Sequence, residues 1–150
     1  MLIIDGYNLI GAFNDLPLSD KNSKDKLLNR LSEYQKIIDR KLIVVFDGAG
    51  YGDYRKTNFE NIEVRYPENN YSADDTIIKL IDEFNNQHGI CIISSDNAIK
   101  SHAKRAHLAN QNSSNFAREV EDVIFRNGEE TENYLSPASV DEWLDIFKKK

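Results

Sequence analysis

The sequence predicts an α/β fold, a three-layer α/β/α sandwich around a mostly parallel sheet. Short unbroken runs of Val, Ile and Leu are typical of strands that are buried on both faces of a parallel sheet. These runs alternate with longer segments whose apolar residues recur every three to four positions, which is the period of an amphipathic helix. Alternating strands and helices favour parallel strands that are joined by right-handed crossovers.

The strand candidates are short, and three of them are strongly apolar. In chain order, the candidates are residues 2–4, 42–46, 62–66, 90–93 and 108–111. The segments 62–66 and 108–111 are the weaker two. Between residues 48 and 70 lies a connection rich in glycine and aromatic residues, and connections of this length are often functional.

The helix candidates each carry an apolar stripe. They are residues 24–40, 73–86, 97–107, 116–125 and a C-terminal helix at about 138–147. Ser114 is the predicted N-cap of the fourth helix, and Ser139 with Glu142 forms a predicted capping box for the last. We expect the C-terminal helix to pack on the rest, so that 1–150 form a single domain.

Composition excludes several classes of protein. The chain has 150 residues, which suits one domain, and a net charge of −6, which argues against coating nucleic acid through bulk charge. Its single cysteine, Cys91, excludes an intramolecular disulfide and a cysteine zinc site. The sequence contains no apolar run long enough for a membrane span and no pattern of a cleavable signal peptide, so a cytoplasmic location is expected.

Aspartates follow the three strongest strand candidates. These residues are Asp5, Asp47 and Asp96, and Asp74 joins them from the start of the second long helix. In an open parallel sheet, ligands bind beyond the carboxyl ends of the strands, so the carboxylates are expected to converge on one crevice. Clustered carboxylates repel one another unless a cation lies among them, and Mg²⁺ or Mn²⁺ prefers such oxygen ligands. The pattern predicts a Mg²⁺ or Mn²⁺ site.

Each acid also has a purely structural interpretation. Asp47-Gly48 is a common turn after a strand. Asp75 resembles the partner of Ser72 in a helix-capping pair, so we predict a structural role for Asp75. Asp96 could cap the helix that follows it. The metal hypothesis therefore depends on the coincidence of several acids and on no single one of them.

The motifs around these acids resemble a known family. The opening Asp5-Gly6-Tyr7-Asn8 is similar to that of YacP-type NYN-domain proteins, within the PIN-like nuclease superfamily. Segments 44–48, 72–77, 92–97 and 113–116 resemble later motifs of the family, in the same order. The resemblance covers about the first 125 residues.

The resemblance implies a PIN-like fold and a divalent-metal ribonuclease. It implies that Asp5, Asp74 and Asp96 are the central acids, catalytic and metal-binding. Asn8 and Asp47 would be supporting ligands or would position water, although Asn8 could instead hydrogen-bond its own backbone in a turn. Many PIN proteins place a glutamate in the second acidic position, and this sequence has no glutamate in a matching motif.

Basic residues near the predicted crevice are candidate RNA contacts. Lys100 and Lys104 share one helical face that starts at Asp96, and Arg105 follows them. Arg55 and Lys56 lie among aromatic residues in the long connection, a mixture that suits unpaired bases. A solvated helix face and a loop packed on the domain are the alternative interpretations.

The favoured function is a metal-dependent endoribonuclease that cleaves single-stranded RNA, with messenger RNA as the expected substrate. The main alternative is a catalytically weak RNA- or ribosome-binding module with the same fold. A third interpretation, a phosphatase or other phosphoryl-transfer enzyme, is disfavoured because the sequence has neither a glycine-rich P-loop nor a strand-end Asp-x-Asp pair. The sequence does not specify the oligomeric state.

Overall fold

The computed structural model describes residues 1–48, 56–68 and 70–135, with the backbone alone for 129–135. The described residues form six strands and five helices. In chain order they are β1 (Leu2–Asp5), α1 (Gly6–Ala12), α2 (Ser23–Ile38), β2 (Leu42–Val45), β3 (Lys56–Phe59), β4 (Ile62–Arg65), α3 (Ala73–Glu83), β5 (Cys91–Ile93), α4 (Asn97–Arg105), β6 (Ala109–Gln111) and α5 (Ser113–Leu135).

The six strands form one sheet in the order β3-β4-β2-β1-β5-β6. Strand β1 lies in the interior of the sheet and pairs in parallel with β2 on one side and β5 on the other. Strands β4 and β6 extend the parallel sheet, and β3 pairs antiparallel with β4 at the edge. The chain builds outward from β1 in one direction and then returns to its other side. At such a reversal of strand order, a ligand crevice is expected beyond the carboxyl end of β1.

Two hydrophobic clusters lie on opposite faces of the sheet. Ile4 belongs to the first cluster, together with apolar residues of α1, α2 and α5. Ile3 belongs to the second, with residues of α3 and α4. Since successive side chains of a strand point to opposite faces, both clusters meet on β1. The predicted three-layer α/β/α sandwich with a mostly parallel sheet is confirmed.

Helix α1 was not predicted. Its sequence, Gly-Tyr-Asn-Leu-Ile-Gly-Ala, contains two glycines and an asparagine, which are weak helix formers. Asp5 precedes the helix at the N-cap position, but its side chain makes no capping hydrogen bond. Tertiary burial stabilises the helix instead, because Leu9 and Ile10 are fully buried in the first cluster. Local propensity could not have revealed it.

Strand β3 is the second difference, because the segment 48–70 was expected to be a long connection with one weak strand at 62–66. Part of it forms a hairpin in which β3 and β4 flank a turn at Glu60 and Asn61. Glu60 has a left-handed φ of 54°, and its carboxylate accepts a hydrogen bond from Ser32 Oγ at 3.0 Å. The polar, partly exposed residues of β3 suit an edge strand. Because they are polar, they give no hydrophobic pattern from which the strand could be predicted.

Two predicted helix ends need correction. The fourth predicted helix, 116–125, is in fact α5, which begins at Ser113 and extends to Leu135. Ser114 is not its N-cap: Asn112 Oδ1 accepts a hydrogen bond from the Ser114 amide at 3.0 Å and takes that role. The predicted helix at about 138–147 lies outside the described residues. Among the described helices, none is long and apolar enough to cross a membrane.

Candidate active site

Asp5 lies at the carboxyl end of β1 and is buried, with 8% of its surface exposed. Its Oδ2 accepts a hydrogen bond from the buried Ser94 Oγ at 3.2 Å. Ser94 follows β5, the strand beside β1, so adjacent strand ends supply both groups. The same Ser94 oxygen accepts a hydrogen bond from the Asp96 amide at 3.1 Å. One serine thus links two of the predicted catalytic acids.

Gly6 allows the chain to turn from β1 into α1 directly after Asp5. A Cβ atom added at Gly6 would lie 2.5 Å from Cε1 of Phe46 and 2.9 Å from the Val45 carbonyl oxygen. The neighbouring strand therefore leaves no room for a side chain at this position. This close approach places the start of α1 against the end of β2 and fixes where Asp5 enters the crevice.

Asp5, Asp74 and Asp96 influence one another electrostatically. The pKa of Asp5 is raised from 3.8 to about 6, chiefly by burial and also by the negative charges of Asp74 and Asp96, while the Ser94 hydrogen bond partly offsets the rise. The pKa of Asp74 is also raised, first by partial burial and then by the charges of Asp96, Asp47 and Asp75. The predicted acids therefore lie close enough to one another for the charges of Asp74 and Asp96 to act on Asp5.

Several of these acids also satisfy backbone amides. Asp96 is the N-cap of α4, where its Oδ1 accepts from the amides of Ala98 at 2.8 Å and Ile99 at 3.1 Å. Asp47 Oδ1 accepts from the Ala73 amide at 3.3 Å, which joins the end of β2 to the start of α3. Each carboxylate has a second oxygen, Oδ2, that accepts no hydrogen bond from the described residues. The structural and ligand roles can therefore coexist.

Asp75 and Ser72 form the predicted capping box at the start of α3. The Ser72 amide donates to Asp75 Oδ2 at 2.9 Å, and the Asp75 amide donates to Ser72 Oγ at 3.1 Å. This pair fixes the first turn of α3, in which Asp74 lies. The structural interpretation of Asp75 is confirmed.

Asn8 connects three parts of the chain beside the crevice. Its Oδ1 accepts hydrogen bonds from the Ser95 amide at 2.8 Å and from Ser113 Oγ at 2.6 Å. Ser95 Oγ in turn accepts from the Ser113 amide at 3.2 Å and donates to Asn112 Oδ1 at 2.9 Å. We call Asn8, Ser95, Asn112 and Ser113 the polar latch. It ties α1 to the loop before α4 and to the start of α5.

Sequence reasoning did not identify Ser94 or three of the four latch residues as parts of the site. Serine and asparagine pairs are frequent in loops, so the runs at 94–95 and 112–114 carried no signal of their own. Their position after predicted strands was the one available indication. It could not show that they lie beside Asp5 and Asn8, because that proximity depends on strand order.

The predicted RNA contacts on α4 lie at different distances from the acids. The Lys100 amide donates to the Asp96 carbonyl, which places Lys100 in the first turn of the helix. Lys104 lies four residues further along the helix, so it is about 6 Å further from the acids than Lys100, at a rise of 1.5 Å per residue. Arg105, in the last turn, approaches His102, which pairs with Asp82 at 2.8 Å. Lys100 is thus the nearest of the three along the helix.

Of the two basic residues predicted from the long connection, only Lys56 is described by the structure, at the β3 edge of the sheet. Lys56 begins β3, and its Nζ lies 3.9 Å from the Glu63 carboxylate. Arg55 lies outside the described residues. No RNA contact at either residue is tested by these positions, and both stay predictions.

A ready-made metal site is not present among the described residues, where no three His, Cys, Asp or Glu side chains group closely enough to hold an ion. The metal-ligand roles of Asp5, Asp74, Asp96 and Asp47 stay predictions. What the geometry provides is a set of carboxylates at a sheet edge, in which the charges of neighbouring acids raise the pKa of Asp5 and of Asp74.

Comparison with known proteins places this geometry in a family. The family model of the YacP-like NYN domain matches residues 2–146. The chain belongs to the YacP-like NYN domain family. This YacP-like domain is 36% identical over 91 residues to a Bacillus subtilis (strain 168) relative, "Uncharacterized protein YacP", in a match that covers 57% of the chain. The matched part spans about half of that relative, 54% of its length.

The YacP-like domain also resembles solved structures. It superposes on Rae1 (YacP) from Bacillus subtilis with a TM-score of 0.72 and 26% identity, covering 99% of this chain and 91% of that one. A Trp-to-Leu variant of Rae1 gives a TM-score of 0.73 and 26% identity, over 97% of this chain and 90% of that one. These matches confirm the PIN-like fold that the opening motif implied.

Proposed function

We propose that this chain is a divalent-metal-dependent endoribonuclease that cleaves single-stranded RNA, messenger RNA being the expected substrate. The raised pKa of Asp5 between Asp74 and Asp96 carries the proposal. A buried carboxyl beside two others is unfavourable for a metal-free fold, since each charge destabilises the others. A cation removes that cost, and strongly perturbed acids in a cleft are typical of functional sites. The family and its PIN-like fold support the same chemistry.

The acids fit Mg²⁺ or Mn²⁺ by the chemistry of their donors. Asp5, Asp74 and Asp96 would hold the ion, with Asp47 as a supporting ligand. Mg²⁺ keeps several waters and often takes only one or two carboxylates directly, so it does not require a closed cage of three side chains. When bound, such an ion supplies a water of lowered pKa and Lewis acidity towards a phosphoryl oxygen.

The surrounding residues would position the acids. Ser94 Oγ orients Asp5 by its hydrogen bond to Oδ2. Asn8 uses its oxygen to hold Ser95 and Ser113, the residues that flank Asp96 and begin α5. We assign Asn8 a positioning role on this basis.

Basic side chains would seat the RNA backbone on both sides of the acids. Lys100, Lys104 and Arg105 lie along α4, and Lys56 lies beyond β4, with Arg55 before it in sequence. Such contacts to phosphate fix the position of the strand and carry no sequence information. Because the net charge of −6 repels a polyanion, RNA binding depends on these few basic side chains lying next to the acids.

The test pairs cleavage with binding. Labelled single-stranded RNA is incubated with the wild type in Mn²⁺, in Mg²⁺ and in chelator, and the same is done with Asp5→Asn. Wild type should cleave only with metal, and Asp5→Asn should lose at least two orders of magnitude in rate, because it removes a ligand of the ion. RNA affinity should change little. Asp122→Asn, an exposed acid on α5, is the matched control and should cleave like wild type.

A second candidate function is an RNA- or ribosome-binding module that cleaves poorly. The observation in its favour is that no three acids among the described residues form a compact metal site. Wild type that binds RNA but cleaves under no metal would favour it. Equal cleavage by wild type and a folded Asp5→Asn would instead contradict the assignment of the active site. Ribosome association and a cytoplasmic location are part of this proposal and need co-sedimentation and localisation experiments of their own.

A further inference from the structure

A cavity lies between the β3–β4 hairpin and α3, and none of the strand-end acids lines it. Its volume is about 290 Å³, close to the lower end of the range for small-molecule sites. The side chains around it combine three cations, two tyrosines and two glutamates. The lining residues are Lys56, Arg65, Tyr66, Glu68, Tyr71, Thr76, Lys79, Leu80 and Glu83.

Tyr71 and Lys79 are the exposed polar and aromatic elements of this cavity. The Lys79 ammonium lies 4.0 Å from the centroid of the Tyr71 ring, a cation–π distance. The ring is 47% exposed, so part of its surface remains accessible. Lys79 pairs with no carboxylate among the described residues, whereas Arg65 and Lys56 both approach Glu63. Lys79 is therefore the cation best placed to accept a new anion.

The cavity is aligned with the catalytic acids across the sheet. Asp5 is in register with Val45 of β2, and Val45 is in register with Arg65 of β4. Asp5 and Arg65 therefore lie in one row, two strands apart, which corresponds to about 10 Å at the usual spacing of strands. Both residues end parallel strands, so they lie on the same edge of the sheet. An extended RNA strand covers such a distance within a few nucleotides.

We propose that this cavity is a nucleotide subsite for the same RNA strand that crosses the carboxylate crevice. Lys79, with Lys56 and Arg65 at the mouth, would pair with a phosphate, and an unpaired base would stack on the exposed part of Tyr71. A base stacked in this way must be unpaired, so the subsite would select single-stranded over duplex RNA. The inference rests on the proposed ribonuclease function for its substrate, but the subsite binds RNA without metal.

The experiment measures binding of a short labelled single-stranded RNA in chelator, where no cleavage occurs. Tyr71→Ala should weaken binding about tenfold or more, and Tyr71→Phe should bind like wild type, since stacking needs the ring and not the hydroxyl. Lys79→Gln should weaken binding and reduce the slope of log affinity against log salt by about 1. Lys36→Gln is the matched control, because Lys36 lies on α2 and lines a different surface pocket.

Three outcomes separate this proposal from the proposed function. If Tyr71→Ala and Lys79→Gln bind RNA like wild type, the subsite is wrong, even if wild type cleaves RNA with Mn²⁺. If both variants bind weakly while wild type never cleaves, the subsite stands and the metal chemistry fails. Adenosine monophosphate provides a third arm: its binding should shift the backbone amide signals of Thr76, Lys79 and Leu80. If single-stranded RNA does not displace it, the cavity is a site for free nucleotides and the proposal is overturned.

Discussion

The Asp5 carboxyl combines deep burial with nearby negative charge. It is 8% exposed and has a pKa of about 6, above its ordinary 3.8. Folding thus makes the Asp5 carboxyl harder to ionise than it is in the unfolded chain. Because the folded pKa is the higher one, its stabilising contribution is fully present below about pH 4 and is lost as the pH rises through about 6.

This shift predicts how the stability of the metal-free protein depends on pH. In chelator, Asp5→Asn should be more stable than wild type at pH 7, by an amount on the order of 2 kcal/mol. The difference should shrink towards zero as the pH falls below about 4, where Asp5 becomes protonated in the unfolded chain as well as in the folded one. The measurement is the free energy of unfolding of both proteins by urea across this range.

The difference between the two proteins isolates Asp5 from other acids. Asp15, Asp20 and Glu60 have lowered pKa values because of their own hydrogen bonds, and they oppose the effect equally in both proteins. A difference that stays constant from pH 4 to pH 7 would contradict the buried, charge-coupled environment of Asp5.

At the scale of single residues, the acids could be predicted from the sequence, but the residues that surround them could not. Asp5, Asp47 and Asp96 could be placed at strand ends because each follows an apolar run, and the Ser72–Asp75 capping box could be predicted from its spacing. Ser94 could not, since its importance depends on the neighbouring strand that carries Asp5. Contacts between residues 89 positions apart leave no local pattern.

At the scale of the elements, the basic residues of α4 lie at increasing distances from the acids. Asp96 caps it, Lys100 lies in its first turn, and Lys104 lies in its last turn. A phosphate held near the acids would be attracted more strongly by Lys100 than by Lys104, because the interaction between exposed charges falls off over about 10 Å at moderate salt.

Charge reversal along α4 should therefore have graded effects. Lys100→Glu should weaken RNA binding more than Lys104→Glu, and each should lower the salt dependence of affinity. The measurement is a fluorescence anisotropy titration of single-stranded RNA at several salt concentrations, with circular dichroism to check folding. Equal, negligible effects of both reversals would show that α4 is a solvated face and that RNA takes another path.

The two elements that the sequence did not predict share a physical cause. Helix α1 is stabilised by Leu9 and Ile10 in the core, and β3 is stabilised by pairing with β4. Neither has a strong local propensity, so tertiary contacts determine both. The apolar strands and the longer helices were predictable because their burial leaves a pattern in the sequence. The ends of these elements were less predictable: α5 begins at Ser113, before the predicted start at residue 116.

At the scale of the whole molecule, β1 joins the two hydrophobic clusters. Ile3 and Ile4 are both fully buried, yet they belong to clusters on opposite faces of the sheet. A domain with such a shared strand should unfold as one cooperative unit, as small single domains usually do.

Shortening either side chain should therefore affect both faces together. Ile3→Val and Ile4→Val should each lower the free energy of unfolding by about 1 kcal/mol. Unfolding by urea should stay a single transition for each variant, with coincident curves from circular dichroism and from tyrosine fluorescence. Two separate transitions in either variant would mean that the faces unfold independently.

The layer architecture could be predicted from the alternation of strands and helices, but the strand order could not. Placing β5 beside β1, and not beyond β4, depends on which crossover buries α3 and α4 on one face. That placement brings Ser94 and Asp96 to Asp5, so the composition of the site beyond its aspartates follows from topology.

Gly6 and Asp5 are adjacent in the sequence, but they are constrained for different reasons. Gly6 is required by space, since any side chain there would collide with Phe46 and Val45 whether or not the protein cleaves RNA. Asp5 weakens the metal-free fold, so a lineage that abandoned catalysis would gain stability by replacing it with a neutral residue. In such descendants the glycine should persist while the aspartate drifts. Under the proposed function, the glycine of the opening motif would be a marker of ancestry, and the aspartate would be the marker of a working enzyme.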